Sequence, residues 1–209
     1  MGDGRKQHSA GIALVMLGLG LAAPAGAQGL ETLGTLPGAQ LGEETAPAPS
    51  DAEKLDTLLS ELADPDREDW ERVEGEINRI WSRSGSDSMD LLLRRGNEAL
   101  QAEDYPLAVE HLSALVDHAP DFAEGWNARA TGYFLMDEYS LAIADVEHVL
   151  ALNPRHFGAL AGLGFMLDEL NQPELALKAL TAAQKINPHR PNINESVKRL
   201  ERATGAAEL

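Results

Sequence analysis

Cysteine is absent from this 209-residue chain. The absence excludes disulfide bonds, thiolate metal ligands, cysteine nucleophiles and a lipid-modified cysteine. Aromatic residues are also scarce, at 5%, which favours helices packed through small side chains over a β-sandwich. Basic residues are few: Lys and Arg number 17 against 34 Asp and Glu, so the formal net charge is −17. Nucleic acid and anionic membrane surfaces are therefore poor partners for the chain.

Signatures of catalysis are missing too. The sequence contains no H-E-x-x-H, no G-x-S-x-G and no Walker lysine loop. His111 and His118 lie seven residues apart on one predicted helix, but a metal site needs three or four converging ligands and the other histidines are scattered. We interpret the histidines as solvated helix residues. The sequence predicts no enzyme activity, no metal and no cofactor.

The amino terminus has the three parts of a secretory signal. Basic residues precede an apolar stretch at 10–23, and a small-x-small pattern ends at Ala27. We predict a signal peptide over 1–27 that is cleaved after Ala27. The apolar stretch is short for a span of about 20 residues, but an uncleaved anchor remains an alternative. Residues 28–50, rich in Gly, Pro, Ala and Thr, are predicted to form a flexible linker.

Helical patterning starts at the end of that linker. Ser50 and Glu53 have the spacing of a capping box, and leucines follow at helical intervals. Asp64 and Pro65 have the order of an N-cap and first helical residue, which predicts the start of a second helix. We therefore assign 51–88 to a pair of helices.

A period of 34 residues then runs through the chain. Proline removes a backbone donor and disfavours the α conformation in the residue before it, so each of these prolines marks a helix boundary. Three prolines, three alanines and three small residues recur at that interval: Pro120, Pro154, Pro188, Ala108, Ala142, Ala176, Gly96, Ala130 and Gly164. This period predicts an array of helix-turn-helix repeats.

The repeats resemble those of the tetratricopeptide repeat family. The middle unit matches the family's aromatic, aromatic, small and proline positions at Trp126, Tyr133, Ala142 and Pro154. Leucine replaces the first aromatic residue in the other two units, at Leu92 and Leu160. The resemblance covers three units, 89–122, 123–156 and 157–190. It implies an all-α, right-handed helical-repeat solenoid. The pair over 51–88 lacks the repeat's small residues, and we interpret it as an irregular amino-terminal cap or a divergent unit.

The carboxyl-terminal segment, 191–209, is predicted to be a capping helix and a tail. Ile193, Val197 and Leu200 would form one apolar stripe on that helix, opposite charged residues. An open stack needs such a helix to cover its last apolar surface.

The resemblance also implies a binding surface. In the family, the first helix of each unit lines a concave groove that binds segments of partner proteins. On this chain the corresponding residues are Asp90, Leu93, Asn97, Leu100, Glu124, Asn127, Thr131, Phe134, Ala161, Phe165, Asp168 and Glu169.

The partner's chemistry follows from those side chains. Some family members hold an acidic chaperone tail with a clamp of lysine, asparagine and arginine. Here Leu93, Gly158 and Gly162 stand where the clamp's cations are expected, so we reject that ligand. Four groove carboxylates instead favour a segment with basic and large apolar residues.

We therefore expect a non-enzymatic scaffold, exported to the periplasm or secreted, that binds another protein. An alternative is an envelope assembly factor or cell-wall enzyme cofactor that keeps its signal as an anchor.

Overall fold

The computed structural model describes residues 50–205 and folds them into nine α-helices, with no strand in that range. The predicted signal peptide, almost all of the linker and the last four residues lie outside the described residues. Within 50–205, no helix is both long enough and apolar enough to cross a membrane. The helices are α1 (Asp51–Leu62), α2 (Trp70–Trp81), α3 (Asp87–Gln101), α4 (Tyr105–His118), α5 (Ala123–Leu135), α6 (Tyr139–Leu152), α7 (Phe157–Glu169), α8 (Pro173–Ile186) and α9 (Pro191–Thr204).

The helices from α3 to α8 stack as three successive pairs, as the 34-residue period predicts. Small residues let the two helices of a pair approach closely. A Cβ atom at Gly96 would lie 2.5 Å from Leu112, and one at Gly164 would lie 2.5 Å from Leu180. The fold is thus an all-helical solenoid, and its repeated glycines mark the helix crossings.

The turn inside each pair repeats as well. Glu103, Asp137 and Asn171, again 34 residues apart, all have left-handed backbone with φ of 59°, 63° and 56°. Residues other than glycine seldom adopt this backbone conformation. Its recurrence shows that the three turns share one geometry, although their sequences differ.

The start of α1 agrees with the sequence analysis, but the start of α2 does not. Ser50 and Glu53 form the predicted capping box. The expected N-cap at Asp64 is wrong, because α2 begins at Trp70. Asp64 instead accepts a hydrogen bond from the amide of Asp66, at 3.1 Å, and so closes a turn of its own.

Helix α9 caps the array. It begins at Pro191, as expected, and buries Ile193, Val197 and Leu200 against the third unit. It ends at Thr204, and the next residue, Gly205, has a φ of 70°, the left-handed conformation typical of the position after a helix.

The α1–α2 hairpin packs on a part of the chain that is distant in sequence. Leu62, Val73 and Ile77 are fully buried in a cluster that includes Phe157, the first residue of α7, and Ile186 packs against this cluster from the end of α8. The hairpin therefore shares its apolar core with the third unit. It is not simply a cap on the first unit.

Candidate functional site

An open cleft of about 450 Å³ runs along α3. Its lining includes two of the predicted groove residues with polar side chains, one with an apolar side chain, and three further residues: Asp90, Asn97, Leu93, Arg94, Glu98 and Gln101. The side-chain oxygen of Asn97 is buried and accepts no hydrogen bond within residues 50–205. A buried acceptor without a donor is costly, and an N–H group of a ligand would relieve that cost if the half-buried side chain of Asn97 turned towards the cleft.

Three of the predicted groove residues of α3 also stabilise the structure around the cleft. Leu93 and Leu100 are each 4% exposed and belong to the core of the first unit. The Asp90 carboxylate accepts hydrogen bonds from the amide of Ser84, at 2.8 Å, and from its hydroxyl, at 2.6 Å. Asp90 thus fixes the loop that leads from the α1–α2 hairpin into α3.

The predicted groove residues of α5 are all buried. The amide of Asn127 donates to Glu124 at 3.3 Å, and the hydroxyl of Thr131 donates to the carbonyl of Asn127 at 3.1 Å. His156 Nδ1 accepts the amide of Ala159, so its Nε2 carries the proton and donates to Glu124 at 3.1 Å. These polar side chains bind one another rather than facing an open groove.

Phe134, the fourth of these residues, lies in the core of the middle unit. It is 1% exposed and meets Tyr139 edge to face, with 5.8 Å between the ring centroids. Burial, followed by the hydrogen bond to Asp137, raises the pKa of Tyr139 to about 12. Phe134 therefore stabilises the fold in this structure and is not an exposed groove residue.

The predicted residues of α7 lie mainly under α9. Ala161 and Phe165 are buried in the cluster that contains the apolar stripe of α9. Asp168 forms an ion pair with Arg199 of α9. Glu169 alone among these four residues is exposed. The structure thus leaves the α3 end of the predicted groove open and closes much of the rest.

The α1–α2 hairpin also packs against the array, at the turns that follow α6 and α8. Trp81 stacks on His156 with 4.4 Å between the ring centroids, and Trp70 stacks on His189 at 5.4 Å. The buried Glu74 carboxylate accepts hydrogen bonds from Asn187, at 2.7 Å, and from Arg190 Nε, at 3.0 Å.

Sequence reasoning missed this docking, although a signal was present. The turns at 153–156 and 187–190 read Asn-Pro-Arg-His and Asn-Pro-His-Arg, whereas the corresponding turn of the first unit, 119–122, reads Ala-Pro-Asp-Phe. Trp70, Glu74 and Trp81 lie on one face of α2, because they are four and seven residues apart. The acidic, aromatic stripe of α2 matches the two basic turns.

Metal-binding groups do not converge in the described part of the chain. No three His, Asp or Glu side chains within 50–205 are placed to hold a metal ion. The interpretation of the histidines as solvated helix residues fits His118, which is exposed on α4. It is wrong for His156, which is buried in the turn before α7 and bonded to Glu124.

The chain has relatives with a known repeat type. No model of a known protein family matches it. It is 35% identical, over 161 residues, to a tetratricopeptide repeat-containing protein of Rhizobium etli, and the match covers 76% of this chain and 78% of that protein.

Solved structures share the fold. The first tetratricopeptide repeat domain of Spaghetti (RPAP3), bound to the HSP90 peptide SRMEEVD, matches with a TM-score of 0.55 and 21% identity, over 57% of this chain and 95% of that one. The Yersinia enterocolitica type III secretion chaperone SycD, in complex with a peptide of the translocator YopD, matches with a TM-score of 0.54 and 15% identity, over 57% of this chain and 96% of that one.

Proposed function

Because the chain belongs to the tetratricopeptide repeat family, we propose that it is a non-enzymatic scaffold that binds a segment of another protein in the cleft along α3. The observation that carries the proposal is Asn97, whose side chain lines an open cleft and whose oxygen has no hydrogen-bond donor within residues 50–205. A backbone N–H of an extended segment would supply the missing donor.

The closure of the neighbouring surface supports this placement. Glu124 of α5 is bonded to His156, and Asp168 of α7 is paired with Arg199. A partner that meets these carboxylates would have to displace existing bonds. At α3, Asp90 is bonded to Ser84, but Glu98 is exposed, so a partner that meets Glu98 would only replace water.

The charge of the cleft favours a partner segment with basic residues. Asp90 and Glu98 bring two carboxylates against the single guanidinium of Arg94. Leu93 provides an apolar floor for a large apolar side chain. Long-range attraction would steer a basic segment to the acidic chain, and apolar contacts would hold it there.

The HSP90 peptide seen with Spaghetti (RPAP3) is a poor guide to this partner. That peptide, SRMEEVD, is rich in carboxylates. The cleft along α3 contains only one cation, Arg94, among its lining residues. An acidic tail would therefore meet Asp90 and Glu98 with little compensation, so we propose a basic segment instead.

Export to the periplasm is part of the proposal and rests on the sequence of residues 1–27. Its test is separate from that of binding. The intact mass of the protein purified from its native host should correspond to a chain that begins at Gln28. Retention of residues 1–27, with the protein in the membrane fraction, would favour the anchored alternative.

Binding is tested by site-specific photo-crosslinking in the native cell envelope. A photoreactive residue replaces the exposed Gln101, at the end of the cleft, and a matched control replaces the exposed Asp117 on α4. We expect one protein to be captured from Gln101 and not from Asp117, through a peptide with basic and large apolar residues. Equal capture from both positions, or an acidic captured peptide, would contradict the proposal.

A further inference from the structure

A second cleft lies where the second and third units meet, between α6, α7 and α8. Its volume is about 380 Å³, within the range of about 300–1,000 Å³ that is usual for ligand pockets. Three leucines of α7 and two alanines of α8 form its apolar wall: Leu160, Leu163, Leu167, Ala179 and Ala182. None of these residues lines the cleft along α3.

The repeat supplies an internal comparison for this cleft. The residues 34 positions earlier fill the same place between the first and second units, and they are Trp126, Arg129, Tyr133, Asp145 and His148. Trp126 stacks on His148, with 4.3 Å between the ring centroids. Arg129 donates two hydrogen bonds of 2.7 Å to Asp145 and lies over Trp126, 4.8 Å from the ring centroid.

The third unit lacks the aromatic and charged side chains that fill this space in the second unit. Leucine stands in place of Trp126, Arg129 and Tyr133, and alanine in place of Asp145 and His148. The open space therefore lacks an aromatic ring and a guanidinium group that the preceding unit provides from its own side chains.

One charged residue marks where the guanidinium group would bind. Glu147 lines the cleft and stands 34 residues after Ser113, whose hydroxyl accepts a hydrogen bond from Arg129 at 3.4 Å. Glu147 is exposed, and no side chain within residues 50–205 forms an ion pair with it. Its carboxylate is therefore free to bind a cation from outside the chain.

An exposed leucine extends the apolar surface beyond the cleft. Leu175 lines the cleft and is 52% exposed. Leu107 and Leu141 occupy the same position in the other two units and are 39% and 47% exposed. Exposed leucines aligned by the repeat give a partner segment apolar contacts on both sides of the junction.

From this internal comparison we propose that the cleft is a second protein-binding site, which takes a partner segment carrying an aromatic side chain and, within one helical turn, an arginine. The ring enters between Leu160 and Ala182, where the preceding unit places its stacked rings. The arginine pairs with Glu147. Lys178, the other charged residue of the lining, opposes the arginine and makes the site selective for segments with a single cation.

The site is tested with a synthetic probe and the full-length protein. The probe is the fluorescently labelled peptide Ala-Trp-Ala-Ala-Arg-Ala, capped at both ends, and the readout is fluorescence anisotropy. Replacing its tryptophan with alanine should weaken binding on the order of tenfold. Glu147→Lys should weaken binding about fivefold. Lys178→Ala should strengthen it, and the control Glu195→Lys, on the exposed face of α9, should leave it unchanged.

A graft of the preceding unit's side chains provides the converse test. The variant Leu160→Trp, Leu163→Arg, Ala179→Asp, Ala182→His should fill the cleft from within and abolish probe binding. If this variant does not fold, as judged by circular dichroism, the exposed single change Glu147→Lys decides the question.

Methyl NMR of leucine-labelled protein separates this site from the cleft along α3. The probe should shift the signals of Leu160, Leu163 and Leu167 and leave Leu93 and Leu100 unchanged. Shifts at Leu93 and Leu100 alone would overturn the proposal. So would equal binding of the tryptophan and alanine probes, or equal affinities of Glu147→Lys and wild type. None of these results would bear on the function proposed for the α3 cleft.

Discussion

Replacing Asn97 with leucine should stabilise the free protein and weaken partner binding at the same time. The side-chain oxygen of Asn97 is buried without a donor, and such a group costs about 1–3 kcal/mol. Leucine has a similar size and removes the polar group, and its higher helix propensity adds a few tenths of a kcal/mol. We therefore expect the free energy of unfolding to rise by about 1–3 kcal/mol. For a protein of this size, Tm rises about 2–4 °C per kcal/mol.

Asn127→Leu is the matched control for that experiment. Asn127 occupies the predicted groove of the next unit, but its amide donates to the buried Glu124 at 3.3 Å. Leucine would leave Glu124 with one partner fewer, so this variant should lose about 1–3 kcal/mol. Urea unfolding followed by circular dichroism measures both changes. If Asn97→Leu is less stable than wild type, or if both variants shift in the same direction, the assignment of Asn97 as an unsatisfied acceptor is refuted.

Three further predictions concern the frame of the protein, and urea unfolding checks each of them. Gly164→Ala should destabilise the fold because its Cβ would lie 2.5 Å from Leu180. The control Gly75→Ala, with open space around it, should stabilise α2 by up to about 1 kcal/mol. Stabilisation by both substitutions would show that the α7–α8 crossing has room for a Cβ atom. Phe134→Ala should cost about 3–5 kcal/mol, because the ring is in the core, and a loss below 1 kcal/mol would show that the ring is exposed. Glu74→Gln should cost about 1–3 kcal/mol, because it removes the negative charge that Arg190 and Asn187 bind, and an unchanged stability would show that the hairpin does not dock on the turn at 187–190.

The repeating part of the fold was predictable because its causes are local. Pro154 ends a helix whatever the distant parts of the chain do, and Gly164 lets the two helices of its unit cross closely. The interval of 34 residues between such positions is enough to place three helix pairs, and the apolar stripe after Pro191 predicts the capping helix. The predicted start of α2 was wrong for an equally local reason. Asp64 can cap either a helix or a turn, and its hydrogen bond to Asp66 closes a turn.

The groove was less predictable because exposure depends on contacts between distant residues. The sequence spacing places Phe165 and Asp168 on one face of α7, but it does not show that α9 covers the first and pairs with the second. Glu124 is similarly bonded to His156, on which Trp81 of α2 stacks. These contacts join residues more than 30 positions apart in sequence, so helical periodicity carries no information about them.

Binding in the cleft along α3 is tested by the affinity of the segment captured at Gln101 for the wild-type protein and for Asn97→Leu. Titration calorimetry with the synthetic segment gives both dissociation constants. A hydrogen bond to Asn97 contributes about 0.5–1.5 kcal/mol, so we expect the variant to bind about 2- to 12-fold more weakly while unfolding at a higher temperature. Equal affinity for the two proteins would contradict the claim that the cleft along α3 holds the partner.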